Sequence, residues 1–224
     1  MCLIAYSSNG ERMAREIFDT ARAVNPDGIG VFSARGVHKY IGKRAHRKAW
    51  RALGRLERAG IPHGVHFRWR THGAVSLALV HPFLTPDGRA YVAHNGVIAL
   101  TAPHATETES DTSLYVARHM RDAPAPSEAA HAAYFARVTD QIGGGNKLLV
   151  MDAGSGAFTL CNESAGFWYG SHWFSNDYSV PESIIPAYDW TAKRAVYDWQ
   201  DATYLDTRDA LDHDAFLAAL AAYH

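Results

Sequence analysis

Hydrophobic positions along the chain follow two rhythms, and the switches between them mark the elements. Cys2-Leu3-Ile4-Ala5-Tyr6 is an unbroken apolar run stopped by Ser7-Ser8-Asn9-Gly10, which predicts a short buried strand ended by a turn. Over residues 11–24, Met13, Ile17 and Ala21 recur on one helical face, and Pro26-Asp27-Gly28 closes that helix. Residues 28–33 read as a second strand, and 38–59 as one long proline-free helix stopped by Pro62-His63-Gly64. Strand rhythm follows at 65–71, 75–80 and 90–100, then loop chemistry at 101–109. Helical spacing returns at 110–121, with Asp111 near its start, and at 126–142, before Gly143-Gly144-Gly145. Runs at 147–152, 157–162, 166–169 and 173–175 suggest an antiparallel meander with glycine-rich turns. The pattern loosens after Pro181, and 212–223 predicts a last helix capped by Asp212. Strands, then helices, then strands again indicate an α+β layered fold rather than a βαβ array. Residues 1–180 are expected to form one domain, and 181–224 an extension packing on it or on a partner.

Composition narrows the setting. The chain has 224 residues, 47% hydrophobic and 20% charged, which is globular and long enough for a full core. Two cysteines exclude a disulfide scaffold. No apolar run reaches the roughly 20 residues that span a bilayer, and Met1–Tyr6 is too short for a signal peptide. The expectation is a cytoplasmic protein with no membrane partner. A net charge of −1 gives no general attraction to nucleic acid. The charge is unevenly spread, however. Residues 38–60 carry Lys39, Lys43, Arg44, Arg47, Lys48, Arg51, Arg55 and Arg58 against Glu57 alone, whereas 187–224 hold seven Asp against Lys193, Arg194 and Arg208. Such a basic segment could grip phosphates, or be a solvated face docked against acidic chain.

The chemistry starts at position two. Removal of Met1 would leave Cys2 with a thiol and a free α-amine on one residue, a nucleophile that carries its own base. Three clusters complement it. Arg68-Trp69-Arg70-Thr71-His72-Gly73 supplies a guanidinium fork for a carboxylate. His94-Asn95-Gly96 supplies a side-chain amide and a glycine N–H that can donate together to one oxyanion. Ser110-Asp111-Thr112 supplies a carboxylate at a helix start, which also suits a plain cap. Nucleophile, carboxylate clamp, oxyanion hole and ammonium site are together the parts needed to hydrolyse the side-chain amide of a free amino acid, glutamine above all. No HExxH or CxxC spacing occurs, so neither a metal nor another cofactor is expected.

The set Met1-Cys2, Asn25–Gly30, Arg68–Gly73, His81-Pro82, His94-Asn95-Gly96 and Ser110-Asp111-Thr112 resembles the class II glutamine amidotransferases, which are N-terminal-nucleophile (Ntn) hydrolases. The resemblance covers roughly residues 2–176 and extends to short standalone members of bacteriophage type. It implies an αββα four-layer sandwich with two antiparallel sheets. It implies Cys2 as nucleophile, Asn95 and Gly96 as oxyanion hole, Arg68 on the glutamine α-carboxylate and Asp111 on its α-ammonium. Trp69, Thr71, His72 and Gly73 would belong to a loop closing over glutamine, and His94 would stand beside them. Released ammonia would pass to a separately encoded synthetase, since about 48 residues after position 176 are too few for a second catalytic domain. Two positions depart from the family pattern: Leu3 follows the cysteine where a small residue is usual, and Arg70 replaces a small residue. The competing readings are another amide substrate on the same machinery, and a non-catalytic Ntn-fold binding or regulatory module that uses the basic helix 38–60.

Overall fold

Alternation within the first strand sets the layering. In the computed structural model, which describes residues 2–185, strand β1 (Leu3–Ser7) sends Leu3 and Ala5 into one core and Ile4 into another. Strand β2 (Gly28–Ser33), β3 (Gly36–Tyr40), β4 (His63–Arg68), β9 (Phe167–Tyr169) and β10 (His172–Phe174) join it in a six-stranded sheet of order β3-β2-β4-β1-β10-β9. Strands β5 (Phe83–Leu84), β6 (Ala90–Asn95), β7 (Lys147–Asp152) and β8 (Phe158–Cys161) form a second sheet in that order. Every pairing in both sheets is antiparallel among the described residues.

Three buried clusters separate four layers. Helices α1 (Arg15–Val24) and α2 (Ala45–Arg58) place Ile17, Phe18, Ala21, Ala49, Leu53 and Leu56 against Leu3, Val31, Val65 and Phe67 of the first sheet. Phe18 anchors this layer, its ring 5.0 Å from Trp50 and 5.3 Å from Phe67. The middle cluster lies between the sheets: Ile4, Phe32 and Trp173 from the first, Ala93, Leu149 and Met151 from the second. Helices α3 (Asp111–His119) and α4 (His131–Ile142) cover the outer face of the second sheet with Tyr115, Val116, Phe135 and Val138. The fold is therefore α+β, an αββα sandwich of two antiparallel sheets, as expected and compatible with an Ntn-hydrolase. No helix among the described residues is long and apolar enough to cross a membrane.

The loop leading into β5 rests directly on the first sheet. Gly30 of β2 lies under the main chain of His81, where a Cβ would come within 1.8 Å of the His81 carbonyl oxygen. Only a residue without a side chain lets that segment rest on the sheet.

Several elements differ from the sequence reading. The long helix over 38–59 is two elements: residues 36–40 pair with β2 as edge strand β3, and α2 begins at Ala45. Pairing with β2 overrides the helical spacing there, and Gly42 at φ 79° makes the turn. Helix α1 starts at Arg15: Ala14 before it is extended, and the Met13 N–H donates to Glu57 Oε1 instead (2.9 Å). The stretch 75–80 is a loop with one tight turn at Leu77–Leu79, not a strand. The strand expected over 90–100 stops at Asn95, and α4 begins at His131 rather than 126. The meander over 147–175 is split between the sheets: β7 and β8 belong to the second, and the chain crosses at Asn162–Gly166 to give β9 and β10 to the first. Val180 and Ile184 pack into the α1–α2 core. The helix expected over 212–223 lies outside the described residues.

Candidate active site

Strand register assembles the first half of the site. Leu3 pairs with Phe67, and Gly28 with Arg68, so Cys2 emerges beside the end of β4, where Arg68 closes the strand. The Cys2 thiol lies on the Trp69 backbone, with both the Trp69 N–H and its carbonyl 3.4 Å from Sγ. The Cys2 carbonyl accepts from Asn176 Nδ2 at 2.8 Å and from Asn95 Nδ2. Next along β1, the Ile4 N–H donates to Ser175 Oγ at 2.9 Å. The backbone is thereby held at Cys2 and Ile4, just where β1 begins.

Arg68 is buried, and two of its donors are already engaged: Nη1 to the Ala74 carbonyl (3.0 Å) and Nη2 to the His72 carbonyl (3.1 Å). The guanidinium therefore shapes the 69–74 loop while keeping three of its five N–H groups for another acceptor. Asp27 holds the front of the loop, since its carboxylate accepts from the Arg70 N–H (2.8 Å) and its own N–H donates to the Arg68 carbonyl (3.0 Å). The Ala74 N–H donates to the Glu107 carbonyl at 2.8 Å and ties down the far end. Trp69 and Thr71, between these anchors, are exposed.

The second sheet supplies the other half. Strand β6 ends in His94-Asn95, and Gly96 turns the chain at φ 135°. His94 Nε2 meets Asn146 Oδ1 at 2.8 Å, and its Nδ1 meets Thr112 Oγ1 at 2.7 Å. The amide oxygen only accepts, so Nε2 carries the proton and the threonine hydroxyl donates to Nδ1. Helix α3 is capped by Ser110, whose Oγ accepts from the Ser113 N–H. That frees the neighbouring carboxylate. Asp111 Oδ2 accepts from the Ile98 N–H (2.9 Å), and Oδ1 faces His72 Nδ1 at 4.0 Å.

These groups line one cleft of about 280 Å³ of empty space open to solvent: Cys2, Arg68, Trp69, Thr71, His72, His94, Gly96 and Asp111, with His81, Ser110 and Thr112. Asn95 stands at its edge with its amide on the Cys2 carbonyl, and Gly73 lies behind the loop at φ 71°. Burial pushes the Cys2 thiol above its ordinary range, opposed by the Trp69 N–H and by Arg68. Burial also lowers Arg68, which the nearby Cys2 and Asp27 counteract. His81 is held well below its ordinary value by burial and by His66 and His94, so it is neutral in the cleft wall. Among the described residues no group of three or more His, Cys, Asp or Glu is placed to hold a metal ion. Three contributors escape a reading of the sequence as a list of candidates: Asn176 and Asn146 through their amide bonds, and Asp27 through its grip on the loop. Asn146 directly follows the Gly143–Gly145 run, which is the one local sign that it occupies a constrained turn.

The αββα sandwich is compatible with an Ntn-hydrolase fold, and its cleft brings a thiol and two oppositely charged side chains together. No family model matches the chain. It is similar to glutamine–fructose-6-phosphate aminotransferase (isomerizing) from Leifsonia xyli, 34% identical over 112 residues, which cover 43% of this chain and 17% of the relative. The Streptomyces coelicolor protein of the same name is 30% identical over 128 residues, 46% of this chain and 21% of the relative. That of Lactiplantibacillus plantarum is 58% identical over 33 residues, 15% of this chain and 6% of the relative. The match to the first two spans about a fifth of the relatives' length.

Proposed function

We propose that this chain is a class II glutamine amidotransferase that releases ammonia from glutamine through Cys2. The observation that carries the reading is the meeting, on one solvent-open cleft, of the Cys2 thiol, the Arg68 guanidinium and the Asp111 carboxylate. Likeness to proteins named for glutamine supports the choice of substrate.

Cutting the Met1–Cys2 bond frees the α-amine, which takes the thiol proton. The burial that raises the thiol makes this base necessary. The glutamine α-carboxylate binds the free donors of Arg68, and its α-ammonium binds Asp111 Oδ1. The thiolate attacks the side-chain carbonyl, and the oxyanion takes hydrogen bonds from the Gly96 N–H and Asn95 Nδ2. Asn95 Nδ2 carries two N–H groups, one engaged by the Cys2 carbonyl and the other left for the oxyanion, and Asn176 also donates to that carbonyl. Collapse of the tetrahedral adduct breaks the C–N bond and expels ammonia, with the amine's proton going to the leaving nitrogen. Water then hydrolyses the γ-glutamyl thioester to glutamate and restores the thiol. Trp69, Thr71 and His72 cover the cleft and exclude bulk water during these steps. Ammonia leaves for a separately encoded synthetase.

The test is intact mass and reaction with 6-diazo-5-oxo-norleucine on wild type and Cys2→Ala, beside glutamate release from glutamine. Loss of Met1, one adduct on Cys2 and no turnover by Cys2→Ala are expected. A mature N-terminal cysteine that neither takes the adduct nor forms glutamate overturns the proposal.

A further inference from the structure

Helix α2 divides its surface into two opposed sectors. At about 100° per residue, the buried Ala45, Ala49, Ala52, Leu53 and Leu56 share the side facing the first sheet. On the far side, six consecutive positions around the circumference are Arg47, Arg58, Arg51, Arg44, Arg55 and Lys48, all exposed. This sector, about 100° wide, holds no uncharged and no acidic residue. Lengthwise, Arg44 to Arg58 spans about 21 Å at about 1.5 Å per residue.

Local stability does not explain the pattern. The sector stacks like charges at Arg44/Lys48, Arg47/Arg51 and Arg51/Arg55, each an unfavourable i,i+4 pair. Cations at Arg44, Arg47 and Lys48 also crowd the positive end of the helix dipole, where the first turn has no acidic residue and the cap no side-chain bond. None of the six makes an ion pair within the described residues. Glu57, the only acid on the helix, is half-buried and accepts from the Met13 N–H. The net charge of −1 does not oppose a local field, because exposed charges beyond about 8–10 Å are screened.

We infer that this face of α2 binds the phosphate backbone of a nucleic acid. Five of the six cations are arginines, whose planar fork pairs with phosphate oxygens in bidentate fashion. The ridge is as long as about six phosphate steps of one strand at about 3.4 Å each. A protein partner needs a central aromatic or aliphatic anchor, and the sector offers none. The contact is to backbone alone, so it carries no base specificity. It is independent of the glutamine site, since none of the six lines the cleft.

The test is fluorescence anisotropy of a labelled 20-base-pair DNA duplex with the full chain between 50 and 200 mM salt. Five neutralised phosphates give a log–log salt slope of about −4.5, or about a 500-fold loss of affinity over that range. Arg47→Glu/Arg51→Glu/Arg55→Glu is expected to abolish binding. The milder Arg47→Ala/Arg51→Ala/Arg55→Ala is expected to flatten the slope by about 2.7, with an unchanged urea midpoint showing that the helix is intact. The inference is overturned by absent binding at 50 mM salt, by binding that survives the alanine variant with its slope unchanged, or by poly-glutamate displacing DNA at equal charge, which would mark an acidic protein as the partner. Glutaminase activity unchanged in both variants separates this result from failure of the catalytic reading.

Discussion

Gly96→Ala probes the turn after β6, and the oxyanion role proposed for it, by two independent readouts. A Cβ on Gly96 would lie 2.2 Å from Asn146 Oδ1 and 3.1 Å from Asn146 Cα, and the backbone there has φ 135°. The strained conformation costs about 1–3 kcal/mol. Pushing the Asn146 amide aside breaks its 2.8 Å bond to His94 Nε2 and leaves a buried donor unsatisfied, about 1–3 kcal/mol more. The expected destabilisation is therefore about 2–6 kcal/mol, read from the urea midpoint. If the Gly96 N–H also donates to the oxyanion, kcat falls about 10²–10³-fold with little change in KM. Truncating Asn146 as well relieves the clash, so Gly96→Ala/Asn146→Ala is less destabilised than the sum of the two single variants. A Gly96→Ala protein within about 0.5 kcal/mol of wild type would refute the tight approach. A destabilised protein with full kcat would keep the geometry and remove Gly96 from the mechanism.

Asp111→Asn keeps an acceptor for the Ile98 N–H but removes the charge that faces the cleft. Losing a charge-assisted bond of about 1.5–3 kcal/mol raises KM for glutamine about 10- to 150-fold with a smaller change in kcat, and an unchanged KM would take Asp111 off the ammonium. Gly30→Ala drives a methyl into the His81 carbonyl and is expected to destabilise by about 1–3 kcal/mol or more in a thermal melt, whereas a neutral result would mean that the loop does not rest on the sheet there. Burial holds His63 down to about 4 and His66 to about 3, and also lowers His81, His94 and His172. For His63 and His66 the unfolded chain takes up the proton near pH 6.5, and the folded chain only near pH 4 and pH 3. Stability is thus complete above about pH 6.5 and is lost as the pH falls toward 4, by up to about 1.4 kcal/mol per pH unit for each titrating histidine. A urea midpoint that stays level from pH 7.5 to 5 would contradict this.

What the sequence discloses about the site is what single residues can do. Cys2, Arg68, Asn95, Gly96 and Asp111 stand out because a thiol, a fork, an amide beside a glycine and a carboxylate at a helix start each suggest a role before any contact is known. Their partners do not stand out. Asn176 reaches the Cys2 carbonyl across 174 positions, and His94 reaches Asn146 across 52, so no local pattern announces either bond. The fold divides in the same way. Amphipathic spacing finds the helices, since α1, α3 and α4 each keep a buried stripe. It misplaces the start of α2 because β3 exists only by pairing with β2, at an exposed edge where little burial marks it. Strand β5 has two residues, too few to show a period. The crossing at Asn162–Gly166, which returns the chain to the first sheet, is a matter of topology that alternation in 157–175 cannot express.

That return explains why the site lies where it does. Strand β10 must come back beside β1 for Ser175 and Asn176 to hold the backbone at Ile4 and Cys2. Cys2 and Arg68 then sit at neighbouring strand ends of one sheet, while the Gly96 turn and Asp111 come from the other sheet and its helix. Two halves built on separate layers need a rigid link between them. Buried histidines provide it. His66 of β4 donates from Nε2 to the His94 carbonyl at 3.0 Å, and the His94 N–H donates to His81 Nδ1 at 3.1 Å. The His66 and His81 rings stack at 4.0 Å. Each bond requires a particular neutral tautomer: His66 must carry its proton on Nε2, and His81 must leave Nδ1 bare. A proton added to His81 would turn that acceptor into a second donor facing the His94 N–H. Burial, reinforced at His66 and His81 by the neighbouring rings, keeps the proton affinity of this cluster low, and the neutral forms it favours are the ones these bonds between the layers need.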